Sequence, residues 1–172
     1  MLFLSGCMNA PQSAFQIHPD SDIYNLKAGK IEIVSMTSHF DKLPHIEDRL
    51  PVSPEQSVVE WTQKHLIPSD NTQQLWIIIH KAEMLQTDLP TSGFFQLDEV
   101  NYTLNYQMEI QLRENNQLIQ TFPVSGNGFM TMAKKASLSQ KEKGWAWLIQ
   151  KMLTHLKTKI KTDLKDAFIS QN

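Results

Sequence analysis

The chain has one cysteine, Cys7, among its 172 residues, so a disulfide within the chain is excluded. It also has no apolar run that approaches the about 18 residues of a transmembrane helix. The net charge is only −2, with 41% hydrophobic and 20% charged residues, which is typical of an ordinary globular protein. A chain of this length buries one sizeable core. We therefore predict a single domain without a membrane-spanning helix.

The sequence motifs of common enzyme classes are also missing. There is no phosphate-binding glycine loop, no dinucleotide fingerprint and no G-x-S-x-G elbow. The glycines and asparagine of Ser125-Gly126-Asn127-Gly128 predict a loop. A hydrolase would need Ser125 to converge with one or more histidines. We predict that the protein is not an enzyme and binds no cofactor.

The six histidines do not have the spacing of a metal site. They lie at positions 18, 39, 45, 65, 80 and 155, and no two form an H-x-x-x-H pair. His39, His45 and Glu47 could converge within one loop, but scattered surface histidines are the preferred interpretation. No metal site is predicted.

Positive charge is concentrated near the C-terminus. Residues 134–166 contain nine lysines and three acidic residues, whereas the rest of the chain contains seven basic and fifteen acidic residues. Lys157, Lys161 and Lys165 recur beside an apolar helical stripe, which predicts contact with an anionic surface such as lipid headgroups. The alternative is a solvated helix face whose lysines suit the C-terminal end of the helix dipole. A sequence pI near 6.3 argues against nucleic acid as a partner.

The first half of the chain predicts a strand, a helix and a second strand. Residues 30–36 alternate as a short strand does. Ser53 and Pro54 are typical of a helix start, and Pro68 ends that helix. The apolar run at residues 74–80 predicts a central strand that is covered on both faces.

The second half predicts a hairpin and a long helix. Hydrophobic residues alternate over 102–112 and again over 118–124, where Pro123 requires an edge position or a bulge. Ser139 and Glu142 predict a capping box at the start of a helix of close to thirty residues. The predicted fold class is α+β in the order β-α-β-β-β-α, with a mixed sheet, helices packed on one face and a long C-terminal helix.

Before the first strand, residues 8–29 are polar, and their hydrophobic residues do not recur with the period of a helix or a strand. They predict a flexible tether, part of which could dock through Ile17, Ile23, Tyr24 and Leu26. The expected organisation is residues 1–7 as the end of an export signal, 8–29 as the tether and 30–172 as one globular domain.

The tetrapeptide Leu4-Ser5-Gly6-Cys7 resembles the lipobox of bacterial lipoproteins, in which small residues precede a cysteine that becomes acylated. The resemblance implies that Cys7 carries the lipid. An aspartate after the cysteine would resemble an inner-membrane retention signal, so Met8 favours an outer-membrane destination. Six residues precede Cys7, fewer than the about 15–30 of an export signal, so the given sequence is expected to begin within the signal, through either a misplaced start codon or trimming. A chance match in a cytosolic N-terminus is the alternative.

The loop between the first strand and the helix carries a second resemblance. It is similar to a stretch of uncharacterised proteobacterial envelope lipoproteins, which share a proline–histidine pair, a second proline and a tryptophan in the helix, here Trp61. Prolines at both ends stiffen the loop, and a stiff exposed loop suits binding. The predicted partner-binding residues are Pro44, His45, Ile46, Glu47, Arg49 and Pro51.

These observations together predict a membrane-tethered periplasmic lipoprotein that acts as an accessory or assembly factor through protein–protein contacts in an envelope complex. The lipid on Cys7 would hold it at the outer membrane, and the sequence does not identify its envelope partner. The alternatives are a lipid- or small-ligand-binding module of a transport system and a periplasmic hydrolase.

Overall fold

The fold is a mixed four-stranded sheet with two helices. The computed structural model describes residues 15–17, 21–38, 40–69, 72–90 and 98–164. In chain order the elements are β1 (Tyr24–Asn25), β2 (Lys30–Ser35), a 3₁₀ turn (Glu47–Arg49), α1 (Pro54–His65), β3 (Leu66–Ile67), β4 (Gln73–Asp88), β5 (Glu99–Glu114), β6 (Gln117–Ala133) and α2 (Leu138–Asp163). The sheet has the order β2-β4-β5-β6, with β2 parallel to β4 and the other pairs antiparallel. β1 and β3 form a separate short parallel pair.

Both helices pack against the sheet and share one core with it. Alternate side chains of the central strands, such as Ile77, Tyr102 and Met108, are buried. The apolar stripe of α2 meets them through residues such as Ile149 and Leu156, which are fully buried. The predicted α+β class, the β-α-β-β-β-α order of the main elements and the long C-terminal helix are confirmed.

β4 lies in the interior of the sheet, as its apolar run predicted, but only one of its faces is covered by helices in the described residues. Leu75 and Ile77 are buried, whereas Trp76 and Ile78 are half-buried on the opposite face. The Arg113 guanidinium lies 4.4 Å from the centroid of the Trp76 ring. A long side chain from the neighbouring strand therefore shields the tryptophan without a second layer of helices.

β6 runs through residues 125–128, which the sequence predicted as a loop. The tight turn comes earlier, at Asn115 and Asn116, which have φ angles of 50° and 65°. A Cβ atom added to Gly126 would lie 2.5 Å from the hydroxyl of Tyr106. This glycine therefore makes room for a buried tyrosine, and the loop prediction is wrong.

Both helices begin at serine caps. The Ser53 hydroxyl accepts a hydrogen bond from the Gln56 N–H at 3.1 Å, as predicted for α1. α2 begins at Leu138, before the predicted cap at Ser139, because Ser137 and Gln140 exchange the two hydrogen bonds of a capping box. Neither described helix has the length and apolar character needed to cross a membrane.

The folded domain begins before residue 30. Tyr24, Leu26 and Ala28 point inward and are buried, and the ring centroids of Tyr24 and Trp61 lie 6.3 Å apart. Residues 21–29 of the predicted tether therefore belong to the domain. The predicted docking of Tyr24 and Leu26 is thus confirmed, whereas Ile23 is 55% exposed.

Candidate functional site

The loop that was predicted to bind a partner is hydrogen-bonded to the edge of the sheet. β2 pairs with β4 only up to Ile79, and beyond that point the loop becomes the neighbour of β4. The Ile46 N–H donates to the Met84 carbonyl at 3.0 Å. The Gln86 N–H donates to the Pro44 carbonyl at 2.7 Å. The loop thus extends the sheet and does not stand away from it.

Two of the six predicted binding residues turn into the fold. Ile46 is 1% exposed and belongs to the core. Glu47 Oε1 accepts a hydrogen bond from the Met84 N–H at 2.7 Å and lies 3.3 Å from His45 Nδ1. Ile46 and Glu47 therefore hold the loop in place, which corrects their predicted role. Contact with a partner stays a prediction for half-buried His45 and for exposed Pro44, Arg49 and Pro51.

Two of the three lysines predicted to contact an anionic surface are paired within the protein. Asp22 Oδ2 lies 3.0 Å from Lys157 Nζ and 3.2 Å from Lys161 Nζ. Hydrogen bonds from these ammonium groups, first Lys157 and then Lys161, lower the pKa of Asp22 to about 2. Through Asp22, the two lysines therefore hold the N-terminal segment against α2. Contact between these lysines and an external anion stays a prediction. Lys165 and Cys7 lie outside the described residues.

β6 forms one edge of the sheet along its whole length. It has 17 residues, and none of them is charged. Leu118, Ile119 and Phe129 are each more than half exposed. Within the described ranges, no strand pairs with the outer side of β6. Lysine and proline usually protect such an edge, and β6 has only Pro123, whose predicted edge position is confirmed.

The face of the sheet opposite the helices is polar and satisfies many of its own hydrogen bonds. Glu109 Oε1 accepts from Gln111 Nε2 at 2.6 Å and from Thr121 Oγ1 at 2.7 Å, and these bonds lower the pKa of Glu109. Asn105 Nδ2 donates to Glu83 Oε1 at 2.9 Å. Such a network is typical of the solvated face of an antiparallel sheet.

Ser125 and the half-buried His155 lie on different faces of the sheet. Gly126 faces Tyr106 on the side of the sheet that the helices cover. Ser125 is the residue before Gly126, so its side chain points to the opposite face of the sheet. His155 Nδ1 and the Tyr106 hydroxyl form a hydrogen bond of 2.7 Å on the helix side. This geometry does not support a triad of Ser125 with His155. In the part of the chain that the structure describes, no three His, Cys, Asp or Glu side chains form a metal site.

A groove lies between α1 and the outer edge of β2. Its volume is about 610 Å³, within the range of small-ligand sites. The polar side chains along it include Lys30 and Glu32, which form an ion pair with each other. The apolar side chains that line it include Ile31, Ile33, Val59 and Leu66.

The chain is similar to several solved bacterial protein structures. No protein-family model matches the chain, and no curated protein matches its sequence. The crystal structure of a putative neuraminyllactose-binding hemagglutinin homolog from Helicobacter pylori is similar, with a TM-score of 0.50 at 12% identity over 88% of this chain and 94% of that chain.

Two lipoproteins are also similar. Uncharacterized lipoprotein B from Nitrosomonas europaea has a TM-score of 0.48 at 9% identity over 87% of this chain and 92% of its own. A minor lipoprotein from Acinetobacter baumannii has a TM-score of 0.47 at 15% identity over 78% of this chain and 94% of its own. Minor and uncharacterised lipoproteins of proteobacteria are thus among the solved structures to which this chain is similar.

Proposed function

We propose that the protein is a non-enzymatic lipoprotein of the bacterial cell envelope, anchored through Cys7 to the outer membrane and facing the periplasm. Its accessory or assembly role is to bind a β-strand of a partner envelope protein along the outer edge of β6. The edge of β6 carries this proposal, because it combines 17 uncharged residues, exposed apolar side chains and a free outer side within the described residues.

The geometry of β6 suits the addition of a strand. A partner strand would pair with main-chain groups, and its side chains would meet Leu118, Ile119 and Phe129. No charge on β6 would have to be desolvated on binding. A lysine at the edge is a common natural defence against this kind of pairing, so adding one is a direct way to block it.

We predict that a photoreactive amino acid at Ile119 or Phe129, introduced in the native bacterium, forms a covalent adduct with one and the same envelope protein. With the probe at position 129, Ile119→Lys should reduce that adduct at least about tenfold, because the new charge is buried by the partner. Thr158→Lys on α2 adds the same charge at an exposed site and should leave the adduct unchanged. Equal adducts in both variants, or no adduct from β6, would contradict the role of the edge.

The anchor has a separate test. If Cys7 is acylated, Cys7→Ala should move the protein from the membrane fraction to the soluble fraction and remove the acyl mass from its N-terminal peptide. Acylation supplies most of the membrane affinity, since each buried methylene contributes about 0.8 kcal/mol. Fractionation with mass spectrometry measures both results. Unchanged membrane association without any acyl group would overturn the anchor and leave the proposal for β6 intact.

The groove beside β2 favours a second candidate function, a lipid- or small-ligand-binding module. Its apolar lining and its volume of about 610 Å³ suit part of an acyl chain or a small apolar ligand. A lipid that copurifies with the protein in the absence of detergent would favour this function over the first.

A further inference from the structure

The N-terminal half of α2 carries an exposed tryptophan between two lysines. Trp147 is 50% exposed, whereas Trp145, two residues before it, is 4% exposed and belongs to the core. Lys143 and Lys151 lie one helical turn before and after Trp147, on the same face. Lys151 Nζ lies 5.5 Å from the centroid of the Trp147 ring. This face points to solvent, opposite the apolar stripe.

The lysines around Trp147 are unpaired, unlike those at the other end of the helix. Within the described ranges no carboxylate forms an ion pair with the following four lysines: Lys135, Lys141, Lys143 and Lys151. By contrast, Lys157 and Lys161 bind Asp22, and Lys159 binds Asp163. The unpaired lysines of α2 therefore lie between residues 141 and 151, and Lys135 lies just before the helix. Lys141 is half-buried and lies about 120° around the helix from Trp147, so we define the Trp147 surface as Trp147, Lys135, Lys143 and Lys151.

The stability of the helix does not explain this arrangement of charge. The N-terminus of a helix favours acidic side chains, and the first turn of α2 contains none. Lysines are favourable at the other end of a helix, so Lys141 and Lys143 gain nothing from the dipole. An exposed tryptophan also contributes little to the core. These features are better explained by contact with an external anionic surface.

A groove adjoins the Trp147 surface where α2 meets the C-terminal end of β6. Its volume is about 680 Å³. Met130 and Met132 supply apolar side chains along it, and Lys135, Gln140 and Lys143 supply polar groups. A site of this composition can accept a phosphate group near the lysines and an alkyl segment beside the methionines.

We propose that the Trp147 surface binds the headgroup region of an anionic phospholipid bilayer, with the Trp147 ring at the boundary between headgroups and acyl chains and the lysines on phosphates. Tryptophan is enriched at the boundary between membrane and water, and lysines near that boundary bind anionic headgroups, whereas lysine is depleted in protein–protein interfaces. The inference concerns α2 and depends neither on the acyl group on Cys7 nor on the edge of β6.

Flotation of the full unacylated chain with vesicles tests the proposal. The protein should float with phosphatidylglycerol vesicles at low salt, should not float with phosphatidylcholine vesicles, and should be released as salt rises. The double variant Lys143→Gln/Lys151→Gln should bind about 25-fold more weakly, at about fivefold per ammonium group.

The matched control is Lys157→Gln/Lys161→Gln, which removes the same charge from lysines that already bind Asp22. It should retain most of the affinity. Circular dichroism establishes that both double variants are folded. Equal loss of affinity in the two double variants would overturn the proposal, as would equal binding to both kinds of vesicle.

Tryptophan fluorescence locates the contact. Trp61 and Trp145 are buried and Trp76 is half-buried, so quenching by brominated phosphatidylglycerol should report mainly on Trp147. Trp147→Phe should remove most of this quenching, and its persistence in that variant would overturn the assignment. The proposal would also fail if vesicles bind without quenching while a photoreactive group at position 147 captures a protein, because the surface would then be a protein interface.

Discussion

Replacing Ile46 with alanine is expected to lower the free energy of unfolding by about 2–5 kcal/mol, the usual effect of removing a large aliphatic side chain from a core. Ile46 is 1% exposed although it lies in a loop. The hydrogen bond from its N–H to the Met84 carbonyl fixes the loop backbone, so the surroundings cannot easily collapse into the cavity. Urea denaturation measures the change.

Arg49→Ala, three residues further along the same loop, is the matched control. Arg49 is exposed, and its truncation should change the free energy of unfolding by less than about 0.5 kcal/mol. If Ile46→Ala leaves stability unchanged but abolishes partner capture, Ile46 is a binding residue after all. If Arg49→Ala alone abolishes capture, the exposed part of the loop contributes to the interface together with β6.

Replacing Gly126 with alanine is expected to be the second strongly destabilising change, by about 2–4 kcal/mol. The added Cβ would lie 2.5 Å from the Tyr106 hydroxyl and 2.8 Å from the ring carbon that bears it. Tyr106 is buried beneath α2, and its hydroxyl bonds to His155 Nδ1 at 2.7 Å. Overpacking would therefore displace the ring and break a hydrogen bond between the sheet and α2.

A double-mutant cycle with Tyr106→Phe tests this explanation by urea denaturation. Removing the hydroxyl relieves the shorter of the two contacts, so Gly126→Ala should be less harmful in the Tyr106→Phe background, by about 1 kcal/mol or more. Ser125→Ala, on the opposite face, should have little effect. Additive effects of Gly126→Ala and Tyr106→Phe would mean that the glycine is needed for its backbone and not for the space it leaves.

The sequence predicts the main elements well because their signals are local. The alternation in β5 is set by which side chains face the helices, and every second residue from Tyr102 to Leu112 is indeed buried. The serine cap and the proline that follows it locate the start of α1 within one turn. The stripe of α2 repeats with the helical period over most of its length.

The features that were missed depend on contacts between distant parts of the chain. Gly126 is a turn residue by composition, and only the register that places it opposite Tyr106 reveals its packing role. The burial of Ile46 follows from main-chain pairing with β4, and main-chain groups are nearly the same in every residue. The paired state of Lys157 and Lys161 depends on Asp22, more than 130 residues away. The exposure of Trp147 could have been predicted from the sequence, because a helical projection of α2 places Trp147 opposite the apolar stripe.

The topology of the sheet also implies an order of assembly. β5 and β6 are joined by only Asn115 and Asn116, so their ribbon can form from local contacts. β2 and β4 are parallel and are separated by residues 36–72, which include α1, so their pairing must close a much longer loop. We therefore expect the β5–β6 ribbon to form first and β2 to join the sheet last.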